Sequence, residues 1–301
     1  MIKAEIVCDS SYAGSRLTTF ILTYPRFIHA EFMTHRMISR NASSSRAIPV
    51  KKQIQEVIDN PAIPLKFLKN QKGMQGGEAL ENQDEAVQTW LAAGKEAVKF
   101  AQKLADLEVH KQYANRILEP WAHITVIATA TDWDNFFALR IHPAAQPEIC
   151  ELATQMWNLY KDHKPKEEVR TGYWHLPLVT EDEIKECCAL FGVNCLKESE
   201  EALKIAIKRS VAKCARVSYK NHDGTTNTLT QDIELYNRLL GSSPIHASPA
   251  EHQARADGIY KYSGNFRGWV QYRKMLSNEC VKKFDEAAAF PGSSQADQQK
   301  V

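Results

Sequence analysis

The chain has 301 residues, with 38 Lys and Arg against 36 Asp and Glu, and 44% of its residues are hydrophobic. These values exclude a disordered chain, a collagen-like one and a repetitive coiled coil, and the net charge of +2 argues against a nucleic-acid binder that uses its whole surface. No apolar run reaches the ~18 residues of a membrane span, and Met1-Ile-Lys-Ala-Glu-Ile-Val7 lacks the apolar core of a signal peptide, so a cytoplasmic protein is expected.

Residues 2–9 and 17–24 read as strands, the second rich in β-branched and aromatic residues after a Gly14-Ser15 turn. Pro25 then opens a helix expected to deliver His35 and Arg36 near its end. A loop over Ser43–Pro49 precedes a helix over Val50–Asp59, and residues 70–84, rich in Gly, Gln and Asn, read as a surface loop. The stripe Val87, Leu91, Gly94, Val98, Ala101, Leu104 predicts a long helix from Asp84 to Leu107. A short helix over Tyr113–Leu118 follows, and Ile124–Thr131 fits a strand or a buried helix equally. Asp132 reads as the N-cap of a helix ending at Arg140, and Gln146–Tyr160 repeats the helical stripe. Further on, 161–168 is a charged exposed segment and 172–177 an aromatic loop, with helices expected at 181–190, 198–215, 229–240 and 265–277. Pro291–Val301 offers almost nothing to bury and is expected to fray. The seven cysteines are odd in number and contain no C-x-x-C pair, which predicts free thiols in a reducing compartment and no metal site.

Thr34-His35-Arg36-Met-Ile-Ser39-Arg40-Asn41-Ala-Ser43-Ser44-Ser45-Arg46 is the most informative stretch. From Phe32 to Gln55 there is no acidic residue, while Arg36, Arg40, Arg46, Lys51 and Lys52 are cationic. Forked guanidinium donors beside clustered hydroxyls suit a phosphate; a solvated basic loop is the plainer alternative. Placed after a strand and a helix, the cluster reads better as a site.

These residues resemble the signature of the flavin-dependent thymidylate synthase (ThyX) family, an Arg-His-Arg followed by a serine, an asparagine and a Ser-x-Arg. His35, Arg36, Ser39, Asn41, Ser44 and Arg46 fall at matching positions. Ala114-Asn-Arg116-Ile-Leu-Glu-Pro120 resembles the family's Ala-Arg-Ile-x-Leu-Pro segment, and Asn135-Phe-Phe-Ala-Leu-Arg140 with Ala145-Gln146 and Glu148 resembles a later one. Ala215-Arg216-Val217-Ser218-Tyr219 and His246-Ala-Ser-Pro249-Ala-Glu251-His252 are similar to segments that precede the signature in the family, yet here they follow it. The resemblance therefore implies a circular permutation: residues 1–288 as one permuted catalytic domain, 165–200 as an insertion, and 289–301 as a disordered tail. Three positions depart from the pattern: Thr34 replaces the first arginine, Ala42 a glutamate, and Glu31 a glutamine. Near the end, Asn265-Phe-Arg267-Gly-Trp269-Val-Gln271-Tyr-Arg273 echoes the family's Gln/Arg helix and is a candidate to replace those side chains, or an ordinary amphipathic helix.

The family fold is mixed α/β, a twisted and largely antiparallel sheet flanked by helices, assembling as a homotetramer with sites shared between subunits. The resemblance implies transfer of a one-carbon unit from methylenetetrahydrofolate to C5 of dUMP, giving dTMP, with FAD as cofactor and NADPH as reductant. It assigns Ser44, Ser45, Arg46 and Arg116 to the nucleotide phosphate and Arg140 to the uracil ring, with Arg140 and Arg46 as the catalytic candidates. His35, Arg36, Ser39, Asn41, Asn135 and His252 are the flavin-facing candidates. His29, His123, His142 and His175 have no motif support and read as structural or exposed. Two alternatives stay open: a pyrimidine nucleotide hydroxymethylase using the same site, and a non-catalytic nucleotide- or nucleic-acid-binding protein using the 34–52 basic cluster.

Overall fold

Ala13 and Gly14 both have positive φ, 48° and 79°, the backbone of a tight hairpin turn whose twist matches that of the flanking strands. They join β1 (Lys3–Tyr12) to β2 (Ser15–Pro25) as an antiparallel pair, with Tyr12 opposite Ser15. The computed structural model describes residues 1–167, 171–217, 227–242, 245–257 and 262–282. Ser218 and Tyr219 of the motif, and the expected tail 289–301, lie outside them.

After β2 the chain forms only a 3-10 turn (Arg26–Ile28) and one turn of helix, α1 (His29–Phe32). The expected helix carrying His35 and Arg36 near its end is thus corrected: both lie beyond it, in a turn closed by the His35 N–H on the Phe32 carbonyl, 3.2 Å. Ser39–Ala42 is then a strand, β3, which the phosphate-loop reading did not anticipate. α2 (Val50–Asp59) and α3 (Gln83–Asp106) pack on each other and on the 3-10 segment Asn115–Trp121 that follows α4 (Lys111–Ala114). A side chain at Gly94 would meet the Trp121 indole at 3.0 Å, so the glycine lets α3 approach.

Residues His123–Ala130 form a strand, β4, which settles the ambiguity between strand and buried helix. The physical reason is burial on both faces, which replaces alternation with a continuous apolar run. α5 (Asp134–Arg140) follows, capped by Trp133 rather than Asp132; Asp132 instead pairs with Arg267 at 2.7 Å. α6 (Pro147–Asp162) leads to β5 (Lys166–Glu167), a two-residue strand parallel to β1 in part of the segment expected to be merely exposed. The five strands run in the order β3-β4-β2-β1-β5.

One face of this sheet presents Phe20, Leu22, Tyr24, Val126 and Ala128 to α1, α5 and α6, building the largest core with Phe32, Trp133, Phe136 and Met156. Each such large side chain contributes about 1.5–3 kcal/mol on burial. The opposite face presents Ile21 and Ile127 to Cys214 and Val217 of the C-terminal half. That half holds β6 (Trp174–His175), α7 (Glu181–Ala189), α8 (Glu200–Arg216), α9 (Leu229–Leu240) and β7 (Ala254–Ala256). Capping boxes Thr180/Glu183 and Thr228/Gln231 start α7 and α9.

The expected helix at 265–277 is corrected by β8 (Tyr262–Ser263), β9 (Phe266–Arg267), β10 (Trp269–Gln271) and a 3-10 turn at Tyr272–Met275. Gly264 and Gly268, at φ +63° and +75°, take backbone conformations that a helix cannot include. β10, β7 and β6 form a second, antiparallel sheet. The fold is mixed α/β with antiparallel sheets flanked by helices. Among the described residues no helix is long and apolar enough to cross a membrane.

Asp9 ties the edge of the first sheet together. Its fully buried carboxylate takes Arg16 at 2.6 Å, the Thr18 hydroxyl at 2.8 Å and His163 Nδ1 at 2.8 Å. Asp9→Ala strands the Arg16 guanidinium and is expected to lower the unfolding free energy by roughly 3 kcal/mol, read by urea denaturation.

Candidate functional site

The turn after α1 brings His35 against the last residue of α5. Arg140 Nε donates to His35 Nε2 at 2.8 Å, which places the imidazole hydrogen on Nδ1. Arg140 also reaches Glu31 at 3.3 Å and the Thr34 hydroxyl at 3.4 Å. The His35 ring stands edge-on to Phe136, with centroids 4.9 Å apart. Burial first, then the Arg140 and Arg40 guanidiniums, push His35 down to about 4, so it is neutral at pH 7. Three fixed contacts set the direction of the Arg140 fork.

Next along the chain, Arg40 donates through one nitrogen to the His35 and Ile38 carbonyls, at 2.6 and 2.8 Å. Those bonds orient the guanidinium, and the Glu251 carboxylate is the anion that acts on it. Ser39 donates to Asn265 Oδ1 at 3.0 Å and accepts from Gln271 Nε2 at 3.2 Å. With Arg36, these residues line a cavity of about 290 Å³ whose far wall contains Glu251, Arg273 and Lys274. Glu251 and Lys274 were no part of the sequence-derived set: Glu251 stands in the His246–His252 motif, of which only His252 was a candidate, and Lys274 stands in none. Gln271 and Arg273 were legible only as an echo of the family's Gln/Arg helix, which they do not form.

The serine loop divides. Ser45 is buried and donates to Glu119 Oε1 at 2.7 Å, while Arg116 and Arg26 reach the same carboxylate at 2.9 and 3.2 Å. Ser45 and Arg116, expected to hold a phosphate, are thus held with Arg26 by an internal anion. Ser44 accepts the Arg46 N–H at 3.3 Å, and the Arg46 side chain is exposed, with no ion pair among the described residues. A separate cavity of about 340 Å³ borders this loop through Ser43, Lys52, Glu56 and His123.

Two candidates face away from the 290 Å³ cavity. Asn41 spends its amide on the Cys214 carbonyl at 2.9 Å, tying β3 to α8. His252 is fully buried, bonded through Nδ1 to Thr129 Oγ1 at 2.8 Å, and its neighbour Glu251 faces the cavity instead. Asn135 is exposed on α5. The structure therefore joins His35, Thr34 and Arg140 in one cluster, Arg36 and Ser39 in an adjoining cavity, and Ser45 with Arg116 in a third group.

The pattern of the thymidylate synthase complementing protein family matches residues 15–166. That is half of the chain and includes His35, Arg46, Arg116 and Arg140; the chain belongs to this family. It is similar to two solved structures of the UMP/dUMP methylase PolB from Streptomyces cacaoi. One, bound with 5-Br dUMP, is 19% identical and covers 54% of this chain and 90% of PolB, with a TM-score of 0.46. The other, bound with 5-Br UMP, is 20% identical and covers 54% and 89%, also with a TM-score of 0.46. No curated protein matches the chain.

Proposed function

We propose that the chain transfers a one-carbon unit from methylenetetrahydrofolate to C5 of dUMP, giving dTMP, with FAD as cofactor and NADPH as reductant. The family match carries this reading: it spans both the His35–Arg140 cluster and the adjoining cavity residues Arg36 and Ser39. The donor set fits an anionic dinucleotide, since the cavity beside Arg36 presents guanidinium, ammonium, hydroxyl and amide groups over one carboxylate. When bound, the flavin supplies the redox chemistry that the side chains lack.

In this reading Arg140 orients the uracil ring and stabilises negative charge on its carbonyl oxygen. His35, neutral and bonded to Arg140, holds that guanidinium and offers Nδ1–H as a donor. Arg36 and Ser39 face the flavin, with Asn135 at the outer edge. Asn41 acts by fixing β3 to α8, and His252 fixes β4 through Nδ1 while its buried Nε2 has no partner among the described residues. Arg46, helped by Ser44, holds the nucleotide phosphate. A homotetramer would bring the exposed Arg46 of one subunit to the cavity of another. One permuted domain in the cytosol, with its seven cysteines as free thiols, completes the proposal; the packing of Cys214 and His252 against β3 and β4 supports it.

A second reading, a hydroxymethylated product, is favoured by Thr34, whose hydroxyl lies 3.4 Å from Arg140 where the family carries a guanidinium. Mass spectrometry after incubation with dUMP, methylenetetrahydrofolate, FAD and NADPH separates the two: dTMP supports the first, a hydroxymethyl nucleotide the second. A colourless protein that binds no FAD and releases no tritium from C5-labelled dUMP sinks both. Arg46→Ala is expected to weaken dUMP binding about tenfold and FAD binding far less; equal losses would contradict this division of the site.

A further inference from the structure

We propose that the 264–274 segment, which lies outside the family-matched stretch, forms the second wall of a phosphoryl-binding pocket facing Arg36 and Arg40. The proposal rests on reading this cavity as part of the active site and adds to it residues that the family signature does not supply.

The wall is fixed by hydrogen bonds of side-chain amides, three of which join residues more than two hundred positions apart. Asn265 Nδ2 donates to the Met37 carbonyl at 2.8 Å, and its Oδ1 accepts both Ser39 Oγ at 3.0 Å and Gln271 Nε2 at 2.9 Å. Gln271 is buried and also donates to Ser39 Oγ at 3.2 Å and to the Glu251 carbonyl at 3.3 Å. Gly264 permits this, because a Cβ there would sit 2.5 Å from Gln271 Oε1. Side chains in such a lattice lose little further freedom when a ligand arrives.

Charge then decides what the cavity takes. Four cations line it, Arg36, Arg40, Arg273 and Lys274, against one carboxylate, Glu251. Arg273 pairs with Glu251, and Lys274 with Glu279 at 2.8 Å. Arg40 is bonded to neutral carbonyls and feels the Glu251 carboxylate that Arg273 already pairs with, and Arg36 has no ion pair among the described residues. Four cations against the two carboxylates Glu251 and Glu279 leave two positive charges in excess at the cavity wall. A phosphomonoester, with ≈ −1.5 to −2 charge at neutral pH, or a diphosphate diester matches them. Both the pyrimidine nucleotide and a dinucleotide cofactor carry such a group.

Titrating the full chain separately with FAD, dUMP and inorganic pyrophosphate distinguishes the sources. Lys274→Glu, at a half-exposed position, is expected to weaken binding of one or more of these by about tenfold at low salt, with the melting temperature lowered only by the loss of the Glu279 pair. The organic ligand that weakens identifies the source. Lys274→Ala, expected to lose about threefold, serves if the reversed charge perturbs folding. If none of the three loses affinity in either variant, the proposal is overturned, whatever the wild-type chain binds. If the wild-type chain binds neither FAD nor dUMP, the proposed function fails. Pyrophosphate binding that Lys274→Glu weakens would still support the wall.

Discussion

Arg140→Ala is expected to lower dUMP turnover about a hundredfold to a thousandfold, the usual cost of deleting a preorganised donor to developing charge. The geometry makes this residue more exposed to substitution than any other in the cluster. Its guanidinium is held by His35 at 2.8 Å, Glu31 at 3.3 Å and Thr34 at 3.4 Å, so little reorganisation is left for the reacting state. Arg140→Lys keeps the charge but not the fork and should recover only part of the loss. A second readout separates this role from a packing defect. Arg140 is one of the groups that hold His35 down near 4, after burial itself. Removing it should let the His35 imidazole titrate closer to its ordinary 6.5, visible by NMR of the histidine ring protons. Lost turnover with an unmoved His35 titration would contradict the pairing.

How much of this could be read in the sequence depends on what each segment's residues do alone. β2 was legible because Leu17–Tyr24 carries its own strand pattern, and α2 and α9 because their apolar stripes repeat at helical spacing and caps or prolines mark their ends. β3 was not, because Ser39-Arg-Asn-Ala42 is polar and becomes a strand only by pairing with Ala128 and Thr129. The 265–277 segment misled for a related reason. Phe266, Trp269 and Tyr272 recur every third residue and imitate a helical stripe, while Gly264 and Gly268 actually turn the chain into short strands. Within the site, the motif identified His35, Arg36 and Arg140 by residue type and spacing. It could not show that Glu119 would occupy Ser45, Arg116 and Arg26, nor that Asn265 and Gln271 would bond to Ser39. Those partners are set by tertiary packing, which no local pattern encodes.

Between pH 7 and pH 5 the folded state is expected to lose about 4 kcal/mol, a large part of the 5–15 kcal/mol typical of a domain. The cause lies on the second face of the main sheet. His175 Nε2 meets Thr19 Oγ1, Thr19 meets Thr129, and Thr129 meets His252 Nδ1, each at 2.8 Å. At the other end, His175 Nδ1 faces Ser10 at 3.0 Å and Cys8 at 3.4 Å. Both rings are fully buried. Burial pushes each down to about 3, with Asp9 pulling His175 slightly up and the neighbouring His175 pushing His252 further down. In the unfolded chain both return to about 6.5, so below that pH the unfolded state binds more protons. Stability therefore falls as pH falls, by about 1.4 kcal/mol per unit for each ring, until the folded values are reached. Over the 1.5 units from 6.5 to 5, these two rings give the stated loss, and His29, His35 and His123, each pushed down to about 4, add to it in the same direction. Urea denaturation at several pH values measures the slope. His252→Asn, which keeps a polar atom toward Thr129, should lower it by about 1.4 kcal/mol per pH unit, the share of one ring, while itself costing stability at pH 7. An unchanged slope in that variant would show that other groups control the acid transition.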